Sequence, residues 1–173
     1  FYSMDTGASK NFPAGYPPSH SYQNPLFRHY HALSDHAAVR ASLMAQTTAV
    51  GNTLVLQPQY NAWANRLESM KGKLMDNTWK YCCHALLNRS VDFDIYFEPL
   101  AKETTIENGE YCFRGFRYNT MIVPYTEVSD QANLDLLEAF AKQGGRLVFV
   151  NRFPELAVDT GKHYDFASIC GLG

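Results

Sequence analysis

The carboxylates that could do chemistry in this sequence follow short predicted strands. Glu98 comes directly after the strand at 93–97, and Glu127 follows an apolar run that Pro124 closes. Two carboxylates about 5–10 Å apart can hydrolyse a glycosidic bond, one acting as the acid and the other as base or nucleophile. Ordinary surface acids are the alternative interpretation of Glu98 and Glu127, because the sequence alone does not pair them.

The sequence motifs do not support a catalytic nucleophile or a nucleotide cofactor. A strand-to-helix elbow needs small neighbours, as in GxCxG or GxSxG, but the run at 147–150 continues as Asn-Arg-Phe-Pro. The phosphate-binding patterns GxGxxG and GxxxxGK[ST] are absent, so no cofactor, flavin included, is expected. The cysteines have no CxxC spacing and are interpreted as small buried hydrophobes; they are Cys82, Cys83, Cys112 and Cys170.

One group of candidate metal ligands lies on a predicted helix. His31 and Asp35 are one turn apart, and His29 and His36 are two turns apart. Metal-binding helices use such spacings, but the two pairs do not share a face and no HExxH pattern occurs. We therefore expect no metal site and interpret these as surface or interface histidines.

Composition narrows the class of partner. The 173 residues are 46% hydrophobic and 18% charged, with a formal net charge of -2 and no long run of one sign. A nucleic-acid or membrane partner therefore has no electrostatic support, and no apolar run approaches the ~18 residues of a membrane span. The length suits one domain with an added arm.

The segment 118–150 predicts a strand, a helix and a second strand. Ser129 can cap the helix and Asp130 places a negative charge in its first turn. Leu134, Leu137 and Phe140 recur at three- and four-residue spacing, which predicts that this face is buried. The Gly144-Gly145 pair supplies the positive φ needed after a helix. Such a unit implies parallel strands joined by a helical crossover.

The remaining pattern extends this unit to an α/β domain. Strands are predicted at 53–56, 93–97, 119–123 and 147–150, all buried and parallel, in the order second, first, third, fourth. Helices are predicted at 26–46, 62–67 and 74–87, a hairpin arm at 110–116 and a weak helix near Phe166. In the helix at 74–87 the predicted inward residues are Leu74, Thr78, Tyr81, Cys82, Ala85 and Leu86. The predicted fold is an open, mostly parallel, flavodoxin-like sheet with helices on both faces, preceded by an irregular arm at 1–25.

Two stretches resemble a known domain arrangement. PPSHSYQNPLFRHYHALSDHAAVRASLM at 17–44 and NTLVLQPQYNAW at 52–63 resemble the junction between the catalytic barrel of large bacterial glycoside hydrolases and the domain that follows it. The carrying residues are His20, Asn24-Pro25, the Arg-x-Ser near the helix end, and Trp63. The segments FDIYFEP and 118–150 also fit that following domain, which is similar to class I glutamine amidotransferases without their nucleophile. The family it resembles is glycoside hydrolase family 106, the α-L-rhamnosidase-like enzymes; some β-galactosidases share the layout.

The resemblance implies a fragment of a carbohydrate-degrading enzyme whose catalytic acids lie in an upstream barrel. This chain would comprise the arm at 1–25, the end of that upstream domain, and an amidotransferase-like domain at 26–173, truncated at its C-terminus. The expected partners are the barrel and, through the parent, a carbohydrate; a periplasmic or extracellular location would suit them. His20 and Trp63 would border the substrate cleft, with a buried structural role as the alternative for Trp63. The rival function is a free-standing flavodoxin-like binding module without enzymatic activity.

Overall fold

The chain divides into two compact units, Phe1–Ala49 and Val50–Gly173. A computed structural model describes residues 25–48, 50–66 and 69–171, so most of the predicted arm lies outside the described residues. In the first unit a 3-10 turn, Phe27–His29, leads into helix α1, Tyr30–Met44. The predicted helix is confirmed, but none of its residues is buried.

The second unit is built on a four-stranded parallel sheet in the order β2-β1-β6-β8. This order and direction confirm the predicted open, flavodoxin-like α/β fold. The strands of this sheet are β1, Thr53–Gln57; β2, Asp94–Phe97; β6, Thr120–Val123; and β8, Arg146–Phe149. In register, Gln57 lies opposite Phe97 and Val123 opposite Phe149. All four strands therefore release their following loops at one edge, the carboxyl edge.

One face of the sheet packs against helix α4, Gln131–Lys142. Leu134, Leu137 and Phe140 are completely buried there, which confirms the predicted face. The Phe140 ring meets the ring of Tyr111 edge-on, with centroids 4.8 Å apart, an arrangement that aromatic quadrupoles favour. After the helix, Gly144 adopts φ +86°, as predicted for a residue just past a helix end.

Helix α3, Met70–Leu87, contacts the sheet at β1. Ser69 caps it by accepting a hydrogen bond from the Gly72 amide at 3.0 Å. The buried positions of this helix are Gly72, Met75, Thr78 and Cys82. The predicted inward stripe is therefore wrong in part, because Leu74, Tyr81 and Ala85 are exposed. Apolar residues also lie beside the buried stripe and recur with the same spacing along the sequence. Spacing alone therefore does not tell which of the two sets is buried.

The outer strands also differ from the prediction that every strand is buried. Along β8, exposed and half-buried residues alternate, and Val148 is 40% exposed. In β2 only Tyr96 is buried. The unbroken apolar run at 147–150 is typical of a strand covered on both faces, but β2 and β8 are the edges of the sheet.

The remaining elements surround the carboxyl edge and the α4 face. Helix α2, Gln59–Ala64, follows β1, and a 3-10 turn, Glu98–Glu103, follows β2. A three-stranded antiparallel sheet comprises β3, Thr105–Glu107; β4, Glu110–Phe113; and β5, Phe116–Tyr118. A two-stranded parallel sheet pairs β7, Val128–Ser129, with β9, Leu156–Ala157, and helix α5, Phe166–Ile169, comes last. Within the described ranges, no helix is long and apolar enough to cross a membrane.

Candidate functional site

The carboxyl edge of the parallel sheet is where open α/β folds place their ligands. Helix α2 comes from the end of β1, and the 3-10 turn that begins at Glu98 comes from the end of β2. The segment after β6 runs through Glu127 into β7, and Arg152 follows β8. Both carboxylates that the sequence singled out therefore lie at this edge.

Glu98 is completely buried and joins two of the neighbouring segments. Its Oε2 accepts a hydrogen bond from the backbone N–H of Tyr60 at 2.8 Å, at the start of α2. Its Oε1 accepts a hydrogen bond from the Ser129 hydroxyl, at the end of β7. Glu98 therefore fastens α2 and β7 to the end of β2 from inside the protein.

Ser129 continues this connection into helix α4. Its Oγ also accepts a hydrogen bond from Asn133 Nδ2 at 2.9 Å. The helix cap is Asp130, whose Oδ1 accepts a hydrogen bond from the backbone N–H of Asn133 at 3.0 Å. The prediction that Ser129 caps the helix is wrong, because its hydroxyl is engaged by Glu98 and the helix begins one residue later.

Helix α2 is held from the other side by Asn61. This fully buried residue accepts a hydrogen bond from the Glu127 amide through Oδ1 at 3.0 Å. Its Nδ2 and the Oδ1 of Asn133 are buried without a protein partner in the described part of the chain. The edge thus contains a polar cluster, formed by Asn61, Glu98, Ser129, Asp130 and Asn133.

Burial raises the pKa of Glu98 to about 7, although hydrogen bonds from Ser129 and the Tyr60 amide lower it and the charge of Asp130 raises it further. Removing a carboxylate from water disfavours its charged form. The two hydrogen bonds and the helix start favour the charge, but burial outweighs them. Glu98 is consequently protonated in a large fraction of molecules at neutral pH.

Glu127 has the opposite electrostatic setting. Its carboxylate accepts hydrogen bonds from Lys71 at 2.9 Å and from Arg152 at 2.7 Å. Partial burial alone would raise the pKa of Glu127, but the hydrogen bonds from Lys71 and Tyr125 hold it below its ordinary value. Near neutral pH Glu127 is therefore charged, whereas Glu98 keeps its proton in a large fraction of molecules, an asymmetry that acid–base catalysis also needs.

Trp63 lies on α2, and the residue is 67% exposed. Its ring meets that of Tyr60 edge-on, with centroids 5.4 Å apart and an interplanar angle of 84°. Burial and a hydrogen bond to Asp130 raise the pKa of the Tyr60 hydroxyl, which keeps it protonated. This aromatic pair, Tyr60 and Trp63, connects an exposed indole face directly to the buried cluster.

The other candidate residues are placed elsewhere or lie outside the description. His20 is outside the described residues. The four cysteines are free: Cys82 and Cys83 lie on α3, Cys112 on β4 and Cys170 at the end of α5. Across residues 25–48, 50–66 and 69–171, no group of three or more histidine, cysteine or acidic side chains is arranged to hold a metal ion.

Among the described residues, two clefts lie outside the polar cluster. One of about 300 Å³ is lined by Phe153, Glu155, His163, Tyr164, Asp165, Phe166 and Ala167. The other, of about 440 Å³, is lined at the opposite, amino edge by residues that include Thr53, Thr120, Arg146 and Leu86. Neither cleft includes Glu98, Glu127 or Trp63.

Sequence reasoning missed Asn61, Ser129 as a partner of Glu98, and Asn133. Asn133 lies in the predicted helix beside Leu134, where a polar residue on the buried side signals a tertiary hydrogen bond. No comparable signal marks Asn61, because the apolar residues of the short helix that carries it have no clear period. The contact between Glu98 and Ser129 spans 31 residues and has no local signature.

No protein-family model matches the chain, and no curated protein matches it. Among solved structures, a beta-galactosidase from Bifidobacterium adolescentis is similar, with 21% sequence identity and a TM-score of 0.48. The alignment covers 67% of this chain and 48% of that chain, so this chain spans about half the length of the structure it matches. Similarity at this level is informative about neither substrate nor activity.

Proposed function

We propose that this chain is a non-catalytic domain of a carbohydrate-degrading glycoside hydrolase, in which Trp63 offers an aromatic face to carbohydrate. The observation that carries the proposal is the engagement of both acids at the carboxyl edge. Glu98 is sealed inside the protein, and Glu127 is ion-paired with two cations. Both side chains therefore fasten loops in this structure, which favours a bracing role.

The chemistry of glycoside hydrolysis supports this assignment. A glycosidase places a sugar between two carboxylates, one of them a proton donor that reaches the leaving oxygen. Glu98 has a suitably raised pKa, but its oxygens are occupied by Ser129 and the Tyr60 amide. A substrate would have to displace both partners before it could reach that proton.

The carbohydrate contact is proposed for Trp63 because its indole is exposed beside a ring that is held in place. Flat aromatic faces give a large contact area at small conformational cost. Tyr60 is anchored by its amide on Glu98 and by its hydroxyl near Asp130. His20, the parental barrel as partner of the arm at 1–25, and the non-cytoplasmic location belong to the same proposal, which rests there on the sequence resemblance.

Activity assays test the non-catalytic part. We expect no turnover of aryl glycosides, including the α-L-rhamnoside, and none of glutamine by this chain. Turnover that Glu98→Gln or Glu127→Gln abolishes while the variant stays folded would overturn the proposal.

Binding assays test the aromatic face. We expect Trp63→Ala to weaken binding of methyl α-L-rhamnoside about tenfold, equivalent to about 1.4 kcal/mol, and Trp63→Phe to retain most of the affinity. Trp79, the other tryptophan, is half-buried on α3, so Trp79→Phe is the matched control with unchanged affinity. Equal affinities of Trp63→Ala and the unmodified chain would remove Trp63 from the proposal.

A further inference from the structure

We propose that the cleft at the amino edge of the parallel sheet binds a small carboxylate that carries an apolar group. The Arg146 guanidinium takes the carboxylate, the side-chain amides of Asn52 and Asn119 donate further hydrogen bonds to it, and the apolar group lies on the floor of the cleft. The inference is independent of the carbohydrate contact proposed for Trp63, because Trp63 lies on α2, after the end of β1, and does not line this cleft.

Backbone hydrogen bonds bring the three polar residues to neighbouring positions. The backbone N–H of Asn119 donates to the carbonyl of Asn52 at 3.1 Å, and the backbone N–H of Arg146 donates to the carbonyl of Asn119 at 3.0 Å. In register, Thr53 lies opposite Thr120, and Thr120 lies opposite Arg146. Asn52, Asn119 and Arg146 therefore lie side by side where β1, β6 and β8 begin.

The two asparagine side chains present donors to the cleft, because their acceptors are engaged. Thr53 Oγ1 donates to Asn52 Oδ1 at 3.2 Å, and Thr120 Oγ1 donates to Asn119 Oδ1 at 2.9 Å. The side-chain NH₂ group of an asparagine carries two donors, and neither of these two groups donates to another described residue. A ligand that supplies acceptors, such as a carboxylate, satisfies them.

Arg146 is a cation without a counterion. Its guanidinium pairs with no carboxylate in the described ranges, and Asp92, close by in sequence to Val91, does not line the cleft. Helix α3 ends beside the cleft, but its Leu86 and Leu87 carbonyls already accept hydrogen bonds from backbone N–H groups at 89–91. The guanidinium therefore keeps a planar fork of donors that can hold a carboxylate through two parallel hydrogen bonds.

The floor of the cleft is apolar. Arg146 and Val148 project from the same face of β8, because strand residues alternate between faces, and Ile122, Leu86 and Val91 complete the lining. The volume of about 440 Å³ is in the range of small-molecule sites. Val148 is 40% exposed, so an apolar group of the ligand covers surface that the protein leaves open. A single guanidinium matches a single negative charge, which favours a carboxylate over a phosphate.

The test is a titration of the unmodified chain with sodium benzoate at fixed ionic strength, followed by NMR signals of the cleft residues. We expect saturable shifts of the Asn52, Asn119 and Arg146 signals. Benzyl alcohol has the ring without the charge and acetate has the charge without the ring, so each should bind at least about tenfold more weakly. Benzyl alcohol that binds as tightly as benzoate overturns the recognition of a carboxylate. Acetate that binds as tightly indicates an adventitious anion only and overturns the ligand class, and an absence of saturable shifts overturns the site.

Variants of the cation test its role separately. Arg146→Gln should weaken benzoate binding at least about tenfold, and Arg146→Lys, which keeps the charge without the planar fork, should lie between the two. Lys142→Gln removes the same charge from α4, where Lys142 pairs with Glu138, and is the matched control with unchanged affinity. Unchanged affinity in Arg146→Gln, or an equal loss in Lys142→Gln, overturns the site.

A variant of the floor tests the apolar contact. Val148→Thr replaces one methyl group with a hydroxyl at a partly exposed position, so the fold should be kept. We expect benzoate to bind a fewfold more weakly and the affinity for acetate to stay unchanged, because acetate does not reach the floor. An equal loss for both ligands, or no loss for benzoate, overturns the apolar part of the proposal.

Discussion

The apolar contact between helix α4 and the sheet and the polar cluster at the carboxyl edge are held together by different means. Beneath α4, Leu134, Leu137 and Phe140 are completely buried in one cluster of apolar side chains. At the carboxyl edge, Glu98 and Ser129 are buried as deeply but each depends on a specific hydrogen-bond partner. Apolar packing does not depend on pH, whereas a buried carboxyl group makes stability depend on protonation. The difference suggests that packing under α4 stabilises the protein at any pH, whereas the contribution of the carboxyl edge to stability changes with pH.

The largest effect is expected from truncation under α4. Phe140→Ala removes a fully buried ring that contacts Tyr111, so the free energy of unfolding should fall by about 3–5 kcal/mol at any pH. Denaturant unfolding at pH 5 and pH 8 measures it. Leu136→Ala, on the same helix but at a partly buried position, is the control and should cost less. A loss under about 1 kcal/mol for Phe140→Ala would contradict the stabilising role assigned to the packing under α4.

This apolar part is also what the sequence predicts best. The spacing of Leu134, Leu137 and Phe140 predicts the buried face of α4 because a helix repeats every 3.6 residues. The same spacing places Leu74 inward on α3, where the buried residue is Met75. Periodicity alone does not distinguish a stripe from its neighbour when both contain apolar residues.

The second effect is the pH dependence that Glu98 contributes. Its pKa is raised in the folded protein from 4.5 to about 7, and each pKa unit corresponds to about 1.4 kcal/mol. The folded state therefore holds a proton that the unfolded chain has released between these pH values. This stabilisation is fully present below pH 4.5 and is lost as pH rises through 7, a change of about 3 kcal/mol. Unfolding titrations should show that decline in the unmodified chain but not in Glu98→Gln.

The polar cluster could not be predicted, because its contacts join residues far apart in sequence. Glu98 reaches Tyr60 across 38 residues and Ser129 across 31. The sequence does indicate that loops after strands meet at one edge, and it selected Glu98 as a candidate. It does not indicate whether that acid lies in solvent or inside the protein. The exposure of Trp63 could not be predicted either, because it depends on where the short helix α2 is placed.

A third, smaller effect is expected at the junction between the two regions. Asp130 caps α4 through the Asn133 amide, and its charge raises the pKa of Glu98. Asp130→Ala should destabilise the protein by about 1 kcal/mol and move the midpoint of the Glu98 transition to lower pH. Asp130→Asn, which retains an acceptor without the charge, should restore most of the stability and keep the lowered midpoint. Equal stabilities of the two variants would contradict the capping role.

The smallest effect is expected at the ion pairs of Glu127. Lys71 is more than half exposed, and pairs of this kind contribute under about 1 kcal/mol. Lys71→Gln should therefore change stability little, because Arg152 still contacts Glu127 at 2.7 Å. The pKa of Glu127 is lowered in the folded protein, so its contribution is present above the unfolded pKa and is lost as pH falls. The pH slope of its contribution to stability is opposite in sign to that of Glu98.

A double-mutant cycle of Lys71→Gln and Glu127→Gln at low and high salt, at neutral and acidic pH, measures the coupling energy between the two side chains. A coupling that exceeds the pH-dependent effect of Glu98, or that is insensitive to salt, would mean that the exposed pair contributes more than the buried acid.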